Sequence, residues 1–112
     1  TESQARTEEI VGKDDRQTTL MAERQMLEGM KYYALDNYLA ALENFQKALK
    51  INPKSSGIHY QIAETYLKAG RPNDAIAYAE KAIDLEDTNK YYYLLLGKLY
   101  ESQGQYEEAA KT

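Results

Sequence analysis

The chain has 112 residues, enough for one domain with a modest core, and its 14 basic and 18 acidic side chains give a net charge of −4. This balance lacks the basic stripe that nucleic-acid binding requires, and the absence of cysteine excludes disulfides and thiolate metal sites. No apolar run approaches the roughly 20 residues that cross a bilayer, so we expect a soluble protein that binds no nucleic acid and inserts into no membrane, in a cytoplasmic or a periplasmic (cell-envelope) compartment.

The beginning of the chain is polar. Among residues 1–17 the apolar side chains are Ala5, Ile10 and Val11, which can bury too little surface to offset the entropy lost on ordering. We therefore predict a flexible polar leader over residues 1–19, with a short helix from Glu8 to Val11 as the alternative.

From residue 20 onward the sequence repeats with a period of 34 residues. A shift of 34 aligns Gly29 with Ala63 and Gly97. The same shift aligns Tyr32 with Tyr66 and Tyr100, Ala41 with Ala75 and Ala109, and Ala48 with Ala82. The repeat domain therefore covers 20–112, in units 22–55, 56–89 and 90–112, of which the last is truncated.

Each unit has the pattern of a helical hairpin. Ile58, Ile62 and Tyr66 follow helical spacing, and turn residues interrupt the pattern at Asp36, Gly70 and Gly104. Between units, Pro53 ends a helix, and Ser55 and Thr88 are candidate caps for the next one. We predict helices at about 19–35, 38–51, 55–69, 72–86, 89–103 and 105–112, and no strand.

This arrangement resembles the tetratricopeptide repeat family. The first unit carries the family pattern at Gly29, Tyr32, Tyr38, Ala41, Phe45, Ala48 and Pro53, and the third carries it at Leu96, Gly97, Tyr100, Gly104, Tyr106 and Ala109. Asp36, Ala79 and Asp87 depart from it without breaking helical geometry. The resemblance implies an all-α fold, a right-handed superhelix of antiparallel helix pairs with about two and a half repeats.

The resemblance also implies a non-catalytic scaffold for protein–protein interaction, which binds a peptide or helix in a concave groove lined by the first helix of each unit. The candidate groove residues are Met26, Met30, Tyr33, Tyr60, Gln61, Glu64, Tyr91, Leu94, Leu95 and Lys98. Methionine, tyrosine and leucine dominate this set, which suits an apolar or amphipathic segment. The alternative interpretation is that the same side chains pack in the core or on a further unit.

One well-known groove of this family grips a C-terminal carboxylate with basic and asparagine side chains. The corresponding positions here are Met26, Met30, Gln61, Tyr91 and Leu95, and none of them offers a cation to pair with a carboxylate. We therefore expect no carboxylate clamp of that kind.

Enzymatic chemistry is not indicated. His59 is the only histidine and no cysteine is present, so we interpret His59 as a semi-exposed packing residue rather than a catalytic or metal-binding one. Neighbouring acidic residues such as Asp14 and Asp15 would point about 100° apart on a helix and share no site. We expect no enzyme activity, no cofactor and no metal.

Two other functions remain open. Residues 105–112 supply only about two turns of a second helix, so the array is expected to continue, and the last unit of this chain could self-associate through its apolar face. The chain would then be a structural or self-associating module of a larger protein without a separate peptide ligand. It could also be a non-catalytic regulatory segment of a larger enzyme or signalling protein.

Overall fold

The chain folds into five α-helices in the computed structural model, which describes the backbone of residues 2–111 and the side chains of residues 16–105. The helices are α1 (Glu2–Ala34), α2 (Tyr38–Ile51), α3 (Ser56–Lys68), α4 (Pro72–Leu85) and α5 (Lys90–Lys111). No strand occurs in the described backbone, as predicted. α1 packs on α2 and α3 on α4, and contacts of α2 with α3 and of α4 with α5 join the units into a body 67 × 29 × 21 Å.

The turns of the first two units share one hydrogen-bond pattern. Asp36 and Gly70, which are 34 residues apart, both adopt a left-handed backbone, with φ of 59° and 78°. In the first turn the N–H groups of Asn37 and Asp36 donate to the carbonyls of Tyr32 and Tyr33. The second turn repeats both bonds, so each first helix ends in a Schellman motif and the chain reverses within three residues.

Side-chain caps start two of the following helices. The Asn37 carboxamide accepts a hydrogen bond from the Ala40 N–H at 3.2 Å, and the Ser55 hydroxyl accepts one from the Ile58 N–H at 3.3 Å, as predicted for Ser55. The cap predicted at Thr88 is wrong. The carboxamide of Asn89, one residue later, accepts a hydrogen bond from the Tyr91 N–H at 3.0 Å.

The third unit does not turn. α5 runs through Gly104 as one helix, so the predicted turn there and the separate helix at 105–112 are wrong. A helix interrupted at Gly104 would lose backbone hydrogen bonds that the continuous helix keeps. Glycine inside a helix costs only about 0.5–1 kcal/mol, so the continuous helix is favoured.

The first helix begins earlier than predicted. α1 starts at Glu2, whereas the sequence placed its start near residue 19. The side chains of residues 1–15 lie outside the described ones. The division into a leader over 1–19 and a repeat domain over 20–112 remains a prediction.

Two buried clusters form the core. The first comprises Ala41, Phe45, Ala48, Ile58 and Ile62, and the second comprises Ala63, Ala75, Ala79, Leu95 and Leu99. Tyr66 and Tyr78 pack against both clusters, with their ring centroids 5.9 Å apart, and so connect one unit to the next.

Small residues in the core permit close approach of paired helices. A Cβ on Gly29 would lie 2.5 Å from both Cδ1 and Cε1 of Phe45, so the phenyl ring occupies the space beside the glycine. One unit later the equivalent positions are Ala63 and Ala79, both fully buried. The smaller residue on α4 leaves room for the methyl group on α3.

None of the helices in the described part of the chain is both long enough and apolar enough to cross a membrane.

Candidate interaction groove

Two depressions lie along the first helices of the units. The first, which we call the α1–α3 depression, has a volume of about 410 Å³, and its lining includes Ala22 and Met26 of α1 and Ile58 of α3. The second, which we call the α3–α5 groove, has a volume of about 580 Å³. The residues that line this groove are Tyr60, Glu64, Leu67, Lys68, Tyr91, Leu94, Leu95 and Lys98. The first depression also includes Asn52 and Ser55 of the linker between the first two units, whereas the second is lined by α3 and α5 alone.

The ten predicted groove residues distribute unequally over these depressions. Six of them line the α3–α5 groove, namely Tyr60, Glu64, Tyr91, Leu94, Leu95 and Lys98. Met26 lines the α1–α3 depression, whereas Met30, Tyr33 and Gln61 line neither of the two. Met30 is exposed, and Tyr33 and Gln61 are half-buried.

The α3–α5 groove has an apolar floor and an exposed apolar edge. Leu95 is only 5% exposed and belongs to the second core cluster, so it forms part of the floor. Tyr91 and Leu94 are each 58% exposed, although both are large apolar side chains. A partner could therefore bury these two side chains without unfolding the repeat.

The wall of this groove is fixed by aromatic and polar contacts. The ring of Tyr60 lies 5.1 Å from that of Tyr92, centroid to centroid, and the Tyr92 hydroxyl donates to a carboxylate oxygen of Glu86 at 3.1 Å. The Ser56 hydroxyl donates to the same oxygen at 2.9 Å. Ser56 is the first residue of α3, Glu86 directly follows α4, and Tyr92 lies in the first turn of α5, so these hydrogen bonds hold α3 and α5 in a fixed relation.

Comparison with known proteins identifies the family to which this helical repeat belongs. Two family models described as "Tetratricopeptide repeat" match residues 32–78 and 60–112, which together cover most of the chain. The chain belongs to the tetratricopeptide repeat family.

Curated proteins that resemble this tetratricopeptide chain are much longer than it. It is 31% identical over 91 residues to the small glutamine-rich tetratricopeptide repeat-containing protein 2 of Mycosarcoma maydis, covering 81% of this chain and 26% of that protein. It is 26% identical over 92 residues to the Hsp70-Hsp90 organizing protein of Triticum aestivum, covering 82% of this chain and 16% of that protein. The chain thus spans about a quarter or less of the length of these relatives.

A solved structure confirms the fold. The first tetratricopeptide domain of Spaghetti (RPAP3), bound to the HSP90 peptide SRMEEVD, superposes with a TM-score of 0.73 at 21% identity, over 82% of this chain and 75% of that one. The predicted superhelix of antiparallel helix pairs is therefore correct.

Glu64, which lines the α3–α5 groove, affects the pKa values of two neighbouring tyrosines. Burial raises the pKa of Tyr33, and the charge of Glu64 and its hydrogen bond with the Tyr33 phenol raise it further. Burial also raises the pKa of Tyr60, to which the Glu64 charge again contributes. Because its carboxylate interacts with the Tyr33 phenol, Glu64 connects the lining of the α3–α5 groove to α1.

Lys68 is a lining residue that the sequence analysis missed. It lies four residues after Glu64, so both are on one face of α3, and this spacing is the signal that could have found it. The lysine stands in the last turn of α3, where a cation is also expected to complement the helix dipole.

His59 is buried rather than semi-exposed, which corrects the prediction. It is 7% exposed, its ring lies 6.0 Å from that of Tyr78, and its Nε2 donates to the Pro53 carbonyl at 2.9 Å. That bond ties α3 to the linker before it. Among the described residues no group of three or more histidine and acidic side chains could hold a metal ion.

Proposed function

We propose that this tetratricopeptide array is a non-catalytic scaffold that binds an apolar or amphipathic segment of another protein along α1, α3 and α5. The observation that carries the proposal is the exposure of Tyr91 and Leu94, each 58%, at a groove whose floor is the buried Leu95. Monomeric proteins rarely gather exposed apolar side chains at a concave site without a partner.

The comparisons support binding of a protein segment in general. The Spaghetti domain is bound to an HSP90 peptide, and the wheat relative is named for organizing Hsp70 and Hsp90. The clamp positions of this chain, which include Met26, Met30 and Gln61, carry no cation. We therefore propose a partner chosen by apolar contacts rather than by its C-terminal carboxylate.

A few side chains would supply most of the affinity. Burying a leucine-sized side chain contributes about 1.5–3 kcal/mol, and binding energy in protein interfaces concentrates in a small number of anchors. Leu94 and Tyr91 are the anchors favoured here, because they are the large exposed apolar side chains that line the α3–α5 groove.

A matched pair of leucine variants tests the proposal. Peptides would first be selected from a displayed library on the wild-type chain, and their affinity for Leu94→Ala and Leu39→Ala measured by calorimetry. Leu39 is 81% exposed on α2, away from the groove, so it controls for the loss of an exposed leucine. We expect Leu94→Ala to lose about tenfold in affinity, equivalent to about 1.4 kcal/mol, and Leu39→Ala to lose none. Equal affinities for both variants would contradict the groove as the binding site.

The face of α5 favours self-association as the second candidate function. Tyr93 and Tyr100 are 49% and 50% exposed there, and a Cβ on Gly97 would meet no atom within 4 Å, unlike that of Gly29. Sedimentation velocity over a wide concentration range tests this function. A dimer that forms as concentration rises and that Tyr100→Ser abolishes would support it, whereas a monomer throughout would remove it.

A further inference from the structure

The α3–α5 groove combines apolar surface with two lysines. Lys68 at the C-terminal end of α3 and Lys98 in the middle of α5 both line it, together with Leu67, Leu94 and Leu95. The lining therefore contains two cations and one carboxylate, that of Glu64.

Neither lysine has a partner within the described part of the protein. The ion pairs among residues 16–105 are Lys31 with Glu28 and Arg71 with Asp74, and neither pair lies in the groove. No hydrogen bond from Lys68 or Lys98 to a described residue accompanies them. Glu64, the acidic residue nearest to Lys68 in sequence, interacts instead with the Tyr33 phenol, and Glu101, three residues after Lys98, forms no ion pair with it.

The net charge of the chain makes this arrangement informative. The protein is acidic as a whole, at −4, whereas this groove carries an excess of positive charge over its own carboxylate. Two ammonium groups that have no partner among residues 16–105, beside an apolar floor, are complementary to a segment with carboxylates next to an apolar anchor.

We propose that the α3–α5 groove selects acidic–apolar segments, with the apolar anchor between Tyr91 and Leu94 and carboxylates paired with Lys68 and Lys98. This proposal rests on the proposed function and narrows its ligand to one chemical class. The carboxylates are side chains within the segment, so neither end of the segment needs to be free.

Three end-blocked peptides of twelve residues provide the probe. They share two leucines spaced as on one face of a helix, and they differ only at two flanking positions, which are both glutamate, both glutamine or both lysine. Their affinities would be measured by fluorescence anisotropy at low and high salt. We expect the glutamate peptide to bind about tenfold more tightly than the glutamine peptide, the lysine peptide to bind most weakly, and the differences to shrink toward 1 M salt, where the Debye length falls to about 3 Å.

Paired lysine variants locate the charge effect. Lys68→Gln combined with Lys98→Gln should abolish the preference for glutamate over glutamine. The control combines Lys47→Gln with Lys81→Gln, two exposed lysines on α2 and α4, and should retain the preference. The salt dependence of the wild-type chain provides an independent measurement should the double variant fold poorly.

The outcomes separate the two proposals. Equal binding of the glutamate and glutamine peptides, both weakened by Leu94→Ala, would overturn the acidic preference and leave the apolar scaffold standing. If the control double variant lost the preference for glutamate as completely as the Lys68→Gln, Lys98→Gln variant does, the assignment to Lys68 and Lys98 would also be overturned. Binding that Leu94→Ala does not weaken, in all three peptides, would overturn both proposals.

Discussion

At the scale of single residues, Gly29 is required by its neighbour on the paired helix. Adding a methyl group there would place Cβ 2.5 Å from two carbons of the Phe45 ring. We predict that Gly29→Ala lowers the free energy of unfolding by about 1–3 kcal/mol, the usual cost of overpacking a core. Denaturant unfolding monitored by circular dichroism measures it.

Gly97 is the matched control, because it occupies the same position of the repeat and its Cβ would meet nothing within 4 Å. Gly97→Ala should therefore stabilise the chain by about 0.5–1 kcal/mol, through helix propensity alone. Equal effects of the two substitutions would show that Phe45 does not restrict the site.

The sequence indicates that the repeat position of Gly29, Ala63 and Gly97 requires a small residue, but not why that residue is glycine in one unit and alanine in the next. Gly29 faces Phe45, and Ala63 lies in the same cluster as Ala79, so the two positions vary together. The period of 34 aligns Ala63 with Gly29 and Ala79 with Phe45, and the sequence alone identifies Ala79 as a departure from the aromatic residue. That a small residue on one helix accompanies a large residue on the other follows only from the packing of the two helices.

The raised pKa values of three partly buried tyrosines predict how the stability of the fold depends on pH. Burial, as the largest cause, raises the pKa of Tyr33, Tyr60 and Tyr92 above the ordinary value of 10.0. The folded chain therefore holds these phenols protonated where the unfolded chain has lost the proton. Their contribution to stability is complete below pH about 10 and is lost as pH rises through the folded-state pKa values.

We expect the midpoint of thermal unfolding to fall as the pH rises from about 9 to about 11, and Tyr33→Phe to make the fall shallower, because it removes one titrating group. Differential scanning calorimetry at a series of pH values measures both slopes. An unchanged slope in Tyr33→Phe would contradict the assignment.

At the scale of the helices, the glycine at the turn position has a left-handed backbone in the second unit and a helical backbone in the third. Gly70 is left-handed, with φ of 78°, whereas Gly104 lies inside α5. We predict that Gly70→Ala destabilises the chain by about 1 kcal/mol or more, because a left-handed alanine is strained. Gly104→Ala should stabilise it by about 0.5–1 kcal/mol, because alanine favours the helix. Denaturant unfolding of both variants measures the two signs, and destabilisation by Gly104→Ala would show that the third unit turns as the first two do.

Helix positions were largely predictable, and the third unit shows where prediction failed. α2 was predicted at 38–51 and is found at Tyr38–Ile51, because Asn37 before it and Pro53 after it are strong local signals. Gly104 carries the same local signal as Gly70, but a turn also needs a second helix that packs on the first. Whether a second helix packs there is a tertiary property that a local motif does not contain.

At the scale of the whole molecule, first helices from successive units create the groove. The period of 34 places Met26, Tyr60 and Leu94 at equivalent positions, which made the general location predictable. The sequence could not separate an exposed Leu94 from a buried Leu95, because both fit helical spacing in an apolar run. It also missed Lys68: the spacing from Glu64 places the lysine on the same face of α3, but only the packing of α3 against α5 puts it in one groove with Lys98.

The measurement that tests the account most directly is amide chemical-shift mapping of the isotopically labelled chain during titration with a library-selected peptide. We predict that the shifts concentrate on α1, α3 and α5, and are largest around Tyr60, Tyr91, Leu94 and Lys98, with α2 and α4 little changed. Shifts confined to the outer residues of α2 and α4, such as Leu39, with the groove residues unchanged, would contradict the account.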